Sequence, residues 1–476
     1  MTFHQPRRRG GPKKSGPPRG RTEAPRRPPE LDPARVAALE TLRAVRERDA
    51  YANLVLPKLL RERKITGRDA ALATELGYGT SRAQGLLDAV LAACADRPLS
   101  EVDGRVLDVL RLGAYQLLRT RIPAHAAVAS SVDMVRVEAG GGAGGFANAV
   151  LRKVAQQDEQ AWVEQLAPPA DTDPIGNLAL RTAHPKWIAQ SFADALGGAR
   201  AELADALAAD DARPGVHLLA RPGEISADEL AAITGGDVAP YSPYGVHLES
   251  GDPGELDPVR QHLAAVQDEG SQLVAVALSR VPLTGSDQRW LDLCAGPGGK
   301  ANLLGSLVAI EGGTLDAVEQ AEHRAKLVRQ ATEGLPVTVH VGDGRDSGLP
   351  EGSFDRVLVD APCTGLGALR RRPEARWRRK PEDVGGLTKI QRELLRAAMT
   401  LVRPGGVVGY VVCSPHLSET VGIAVDTARR SKAEVLDARE YFPGVPDLGD
   451  GPYVQLWPHR HGTDAMFCAL FRRPEE

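Results

Sequence analysis

Two cysteines end apolar, β-forming runs. In VLVDAPCTG (Val357–Gly365) three β-formers lead to Asp360 and then Cys363; in GYVVCSPH (Gly409–His416) a second run ends at Cys413. Taken singly, a buried cysteine is an inert packing residue. A thiol beside a carboxylate at the mouth of a strand can do more, because its thiolate is a nucleophile wherever the surroundings stabilise the anion. The two runs read as successive strands, so their loops should be neighbours and the two thiols should face one pocket. The five cysteines (Cys94, Cys294, Cys363, Cys413, Cys468) include no pair with zinc spacing, and no metal site is expected.

A third segment, DLCAGPGGK (Asp292–Lys300), has the composition of a strand-to-helix turn that holds a ligand. Gly296, Gly298 and Gly299 let backbone amides come close, and the helix start adds a partial positive field. The segment is neither GxGxxG nor a P-loop, which disfavours a nicotinamide or flavin cofactor and an oxidoreductase. Cys294 reads as a small packing residue beside the ligand. Glu319 follows the next strand, 20 residues after Gly299, where an acid can accept both hydroxyls of a ribose; Asp316 competes for that place. Asp343 in VGDGRD ends a third strand and could meet an adenine amino group or cap the turn. A ligand with a ribose and a purine but no phosphate points to S-adenosylmethionine.

The elements that must position these residues follow from periodicity. From about Leu256 short apolar runs ending in polar or glycine residues alternate with helical segments such as RAKLVRQATEG and TKIQRELLRAAMTLV. That rhythm predicts a parallel sheet with helical crossovers, an α/β Rossmann-like domain over residues 256–476, with its ligand beyond the carboxyl ends of the strands. Residues 31–166 show helical spacing throughout (Val106, Leu110 and Leu117 share a face), predicting an all-α bundle whose pattern breaks at GGGAGG and restarts at Ala147. APPADTDPIGN (Ala167–Asn177) reads as a linker opening a small α+β module over residues 167–255. Residues 1–30 carry nine Lys/Arg against two Glu and should form a disordered basic arm; the remaining chain is acidic by about ten charges, although the whole nets only −3. A basic arm on an acidic body suits a polyanion partner, and aromatics at 4% leave few base-stacking platforms. Scattered cysteines and the lack of an apolar leader or span point to the cytoplasm, without a membrane partner.

DLCAGPGGK, DAPCTG and a strand-ending Cys-Ser resemble the motifs of the RNA 5-methylcytosine methyltransferases, and the helical region resembles the NusB-like RNA-binding fold. The domain order is similar to the Sun/Fmu (RsmB) type, which modifies 16S ribosomal RNA. The resemblance implies that Cys294, Ala295, Gly296, Pro297, Gly298, Gly299 and Lys300 bind the methyl donor, that Glu319 stands for the family's usual aspartate at the ribose, that Asp343 holds the adenine side, and that Asp360 lies near donor and base. It implies Cys413 as nucleophile and Cys363 as the group assisting release; the residues alone leave open which thiol attacks. Val412 and Thr420 stand where the family often has Thr and Asn, Glu419 keeps the family's acid, and GTDAMF, containing Asp464, replaces Asp-Gly-Phe-Phe.

The run GALRRRPEARWRRKPED (Gly367–Asp383) directly follows Cys363 and holds seven basic residues and one acid between Arg370 and Lys380. Its position predicts a phosphate grip, with Trp377 stacking or packing. The expected function is methyl transfer to cytosine C5 in 16S rRNA or a small-subunit precursor by a monomer. The alternatives are a tRNA cytosine methyltransferase and a non-catalytic RNA-binding factor.

Overall fold

The computed structural model describes residues 1–2, 31–249 and 251–475; nearly all of the basic arm expected over residues 1–30 lies outside them. The chain begins as a helical bundle: α1 (Pro33–Arg48), α2 (Ala52–Glu62), α3 (Gly67–Cys94), α4 (Gly104–Arg119), α5 (Ala124–Val154) and α6 (Glu159–Leu166). Asp32 caps α1 by accepting from the Arg35 amide, with Pro33 in the first helical position. Leu39, Leu87, Leu110 and Leu151 meet in one apolar core. The glycine run does not behave as expected. Only Gly140, at φ 85°, is non-helical, and the helix resumes at once rather than at Ala147. Burial of Ala147, Val150 and Leu151 outweighs the weak helix propensity of the glycines.

The segment read as a linker is coil and turn as far as Asp173 and helical from Pro174. Asp173 accepts from the Gly176 amide at 2.9 Å and starts α7 (Pro174–Arg181), which packs with α8 (Lys186–Leu196) and α9 (Leu203–Asp211). Their core, around Phe192 and Leu207, also takes in Leu366, Leu369, Trp457 and Ala465 from the C-terminal part. Next come β1 (Val216–Ala220), α10 (Ala227–Thr234), β2 (Asp237–Val238), β3 (Gly245–Leu248), the single turn α11 (Asp257–Arg260) and β4 (Ala264–Val266). The strands form an antiparallel sheet in the order β2-β3-β1-β4, so this sheet reaches past residue 255, where the sequence reading ends the module.

After α12 (Glu269–Arg280) the expected alternation appears: β5 (Arg289–Asp292), α13 (Gly299–Ile310), β6 (Thr314–Glu319), α14 (Glu322–Ala331), β7 (Val337–Val341), β8 (Phe354–Asp360), the short α15 (Ala375–Arg378), α16 (Asp383–Leu401), β9 (Val402–Val412), α17 (Val421–Ser431), β10 (Glu434–Leu436), β11 (Val454–Gln455), α18 (Pro458–His461) and β12 (Phe467–Arg472). The main order is β10-β12-β9-β8-β5-β6-β7, with β11 on β12. β7, β6, β5, β8 and β9 are parallel as expected, whereas β12 runs antiparallel to β9 and to β10. The sheet is therefore mixed. β8 and β9 are neighbours in register, Asp360 opposite Val411, which brings their C-terminal loops side by side.

Candidate active site

Cys363 and Cys413 converge: their Sγ atoms lie 3.6 Å apart. Backbone contacts lock the two loops, since the Gly367 amide donates to the Cys413 carbonyl at 2.9 Å and the Gly367 carbonyl accepts from Ala465. A side chain at Gly367 would strike the Ala465 carbonyl at 2.1 Å, so only glycine allows this close approach. Glu419 ties the loops from beneath. Fully buried, it accepts from the Thr364 amide (2.9 Å), the Thr364 hydroxyl, the Ser414 hydroxyl (2.7 Å) and the Gln391 amide (3.2 Å). Thr364 and Ser414 each adjoin one cysteine. The sequence reading noted Glu419 only as an acid retained; nothing local in the chain shows that it clasps a residue 55 positions away.

Lys300, in the glycine turn, donates to Asp360 Oδ2 at 2.8 Å, joining the ends of β5 and β8 beside the thiols. Burial works against the Lys300 ammonium, but the charge and hydrogen bond of Asp360, with Cys413 nearby, raise its pKa overall. Asp292, wholly buried and with Oδ2 unpartnered, is pushed up to about 7 by burial and by the Asp360 charge.

The thiols differ in their electrostatic surroundings. Cys413 has a lowered pKa: its hydrogen bond with the Cys363 thiol favours the anion, and Arg372 and Lys300 add positive charge, against opposition from burial and Asp360. Cys363 is raised well above the ordinary value by that same hydrogen bond, by burial and by the negative charge of Cys413 and Glu419. A carboxylate acts on each thiol, Asp360 on Cys413 and Glu419 on Cys363, but Cys413 also has the cations Arg372 and Lys300. Cys294 is also raised well above the usual thiol value, by burial first and then by surrounding carboxylates, and packs partly buried against the β5–β8 core.

Glu319 ends β6 against the glycine turn. Its Oε2 accepts from the Gly296 amide at 3.1 Å and its Oε1 from Ala321 at 3.0 Å. A Cβ at position 296 would fall 2.1 Å from that carboxylate, and Gly298 holds φ 114° with Ala331 hard against it, so the turn is built as a close backbone cradle. Gly298 precedes α13 without a side-chain cap, so early amides of the helix have no capping side chain. Asp316, the competitor, pairs with His340 at 2.6 Å instead. Asp343 caps the turn after β7, and Arg345 wraps both of its carboxylate oxygens at 2.6–3.1 Å. No contact among the described residues joins the Asp343 carboxylate to the glycine turn, although Gly344 beside it sits against the Leu293 carbonyl.

The basic run is corrected most. Arg376 is entirely buried and donates to Asp211 (2.8 Å), Ala183 O (3.0 Å) and Asp210 O (3.1 Å). Arg370 and Arg371 bind Asp464 at 2.8 and 3.0 Å, and both reach Asp268. Trp377 packs into α3, with its indole N–H on Ser81 O at 2.8 Å. Arg378 donates to Val45 O and Asp49 O, and Arg379 to Thr364 O. Most of the run is a strap between domains rather than a phosphate grip. Arg372 and Lys380 remain exposed.

The family described as 16S rRNA methyltransferase RsmB/F matches residues 283–472, and the NusB family matches residues 32–156. Rv1407 of Mycobacterium tuberculosis, named provisionally as a methyltransferase, is 61% identical over 95% of this chain and 99% of its own length. Ribosomal RNA small subunit methyltransferase B of Pseudomonas syringae is 34% identical over 91% of this chain and 96% of that protein. The crystal structure of PH0851 shares the fold with a TM-score of 0.77 at 21% identity, covering 94% of this chain and all of that one. No helix among the described residues is long and apolar enough to cross a membrane. With these relatives aligned over nearly their whole length, the chain belongs to the RsmB/F family of S-adenosylmethionine-dependent methyltransferases, here joined to a NusB-family domain.

Proposed function

We propose that this chain methylates C5 of a cytosine in 16S ribosomal RNA through a covalent bond between Cys413 and C6 of the base. The observation that carries the reading is the pair of thiols 3.6 Å apart beside the Lys300–Asp360 ion pair. The named substrate of the Pseudomonas relative supports the choice of RNA.

The cradle from Cys294 to Lys300 fits S-adenosylmethionine, with Glu319 toward the ribose, Asp343 toward the adenine side and Asp360 near the reacting centre. Bound there, the donor supplies an electrophilic methyl sulfonium. Cytosine C5 is a poor nucleophile, and the protein's task is to activate it. The Cys413 thiolate, stabilised by the Cys363 thiol, Lys300 and Arg372, forms an S–C6 bond and moves the C5–C6 π pair onto C5, which takes the methyl group. Asp360 keeps Oδ1 without a partner among the described residues; it accepts from the cytosine N4 amino group, and a proton from solvent shared between Oδ1 and N3 offsets the charge the ring gains as sulfur adds. Once Cys413 is a thioether, its negative charge no longer retains the Cys363 proton. Cys363 then releases that proton to solvent, takes the C5 proton, and lets the C–H pair rebuild the C5–C6 double bond as the S–C6 bond breaks. The target must be unpaired or flipped to expose C6.

Methyl transfer from labelled donor to unmodified 16S rRNA, followed by mapping of the labelled base, tests the reading. Cys413→Ala is expected to abolish transfer, by at least about 1000-fold. Cys363→Ala is expected to accumulate a protein–RNA adduct, seen on denaturing gels. Exchanged phenotypes would reverse the two roles, and label on any atom but cytosine C5 would end the proposal.

A further inference from the structure

With its neighbours committed to the strap, Arg372 stands out. It is exposed, and its side chain has no hydrogen bond or ion pair among the described residues. Its amide donates to Ala368 O at 3.1 Å, one turn from Gly367, whose own amide binds the Cys413 carbonyl. Its charge also acts on Cys413, which places it near the thiols. Its guanidinium is centred 5.3 Å from the ring of Tyr51, which belongs to the helical domain.

Tyr51 is held there deliberately. It precedes α2, and the turn before it is pinned from the other domain by Arg378, whose guanidinium donates to Val45 O at 2.8 Å, to Asp49 O at 2.9 Å and to Ala50 O. Arg378 also lies 5.9 Å from the ring centre. Trp377 beside it is locked into α3. The backbone is fixed, yet Tyr51 as a whole is 43% exposed in a chain with few aromatics. Arg372 lies over the ring, and when it swings to a phosphate the face it leaves is a stacking surface for the adjoining base.

We propose that Tyr51 and Arg372 form a docking site for a nucleotide adjoining the target cytosine, so that the NusB-like domain contributes a substrate-contacting side chain to the catalytic pocket. This rests on the reading of the substrate as RNA. Tyr51 stacks on the neighbouring base, and Arg372 turns toward its phosphate. The strap from Arg370 to Arg379 then has a purpose beyond cohesion, because it sets the distance between the stacking surface and the thiols. Tyr51 is a positioning residue for the flanking nucleotide and takes no part in bond making.

The test compares KM for 16S RNA between the full chain and its Tyr51→Ala and Tyr51→Trp variants. A second arm uses RNA carrying an abasic site at either neighbour of the mapped cytosine. Tyr51→Ala is expected to raise KM for RNA about tenfold, the loss of one base–aromatic stack, while KM for S-adenosylmethionine stays as in the wild type. Tyr51→Trp restores binding. An abasic site on one side raises the wild-type KM by a similar factor and adds nothing in Tyr51→Ala. Unchanged KM in Tyr51→Ala, failure of Trp to rescue, or equal abasic effects in wild type and variant would each overturn the proposal. Should Tyr51→Ala fail to fold, the abasic arm on the wild-type chain decides: a side-specific rise supports the stack and no rise overturns it. A wild-type chain that methylates no cytosine in RNA instead refutes the function proposed above, a result distinct from wild type and variant transferring alike.

Discussion

The loop after β8 and the loop after β9 leave adjacent parallel strands and each carries one cysteine, but they are held in different ways. The Cys413 loop is short and fastened within its own sheet, through Ser414 to Glu419 and through Tyr410, whose hydroxyl donates to Glu419 O at 2.6 Å. The Cys363 loop runs through 22 residues before α16; it shares the Glu419 clasp through Thr364 and adds distant anchors: Asp464, Asp268, Asp210, Asp211, and the backbones of α1 and α3. Their charge differs as well: at Cys413 Arg372 and Lys300 oppose the Asp360 carboxylate, whereas Glu419 adds negative charge at Cys363. Identical side chains at equivalent strand ends are shifted in opposite directions by what stands behind them. The Cys413 thiol is shifted down and the Cys363 thiol up.

The contrast can be broken hardest at the strap. Arg376→Ala leaves Asp210 buried without its cation and should cost about 3–5 kcal/mol, read as a lowered denaturant midpoint; a loss within error would show that the strap does not hold the Cys363 loop. Glu419→Gln attacks the clasp shared by both loops. Replacing a charged acceptor by an amide should cost about 1–3 kcal/mol and lower kcat together with stability. A variant with normal stability and normal kcat would mean that the clasp positions neither thiol. The subtlest change is Lys300→Met. A depressed Cys413 pKa means that thiolate persists to lower pH, and activity rises as pH climbs through that pKa. Removing the ammonium raises the Cys413 pKa, so the acidic limb of the kcat/KM–pH profile should move to higher pH. A limb that stays in place would show that Lys300 does not support the anion.

Much of the site was legible because its signals are local. A strand-forming run ending in a reactive residue, and glycines at a strand-to-helix turn, carry their meaning within a few positions, and β8 and β9 being neighbours made Cys363 and Cys413 a pair. What escaped depends on distant partners. The basic run looked like a phosphate grip because Asp464 lies 94 positions from Arg370 and Asp210 lies 166 from Arg376, and no window of sequence shows those acids. β4 escaped as a run of three residues, too short for any period to register. The helix through the glycine run escaped because propensity argues against it and only the buried Val150 and Leu151 argue for it. The antiparallel placement of β12 follows from pairing alone; its residues FCALFR would suit either direction.

Where Trp377 enters α3, a Cβ at Gly85 would lie 2.2 Å from the indole. The first bundle has thus given up a methyl group, and some helix propensity, to receive a side chain from 292 residues further along. Cut free, that bundle would keep an open notch cast for an absent plug, and the strap would keep an indole without a socket. These regions are not interchangeable cassettes: a chimera that grafts a foreign bundle onto this catalytic half must also transplant the notch.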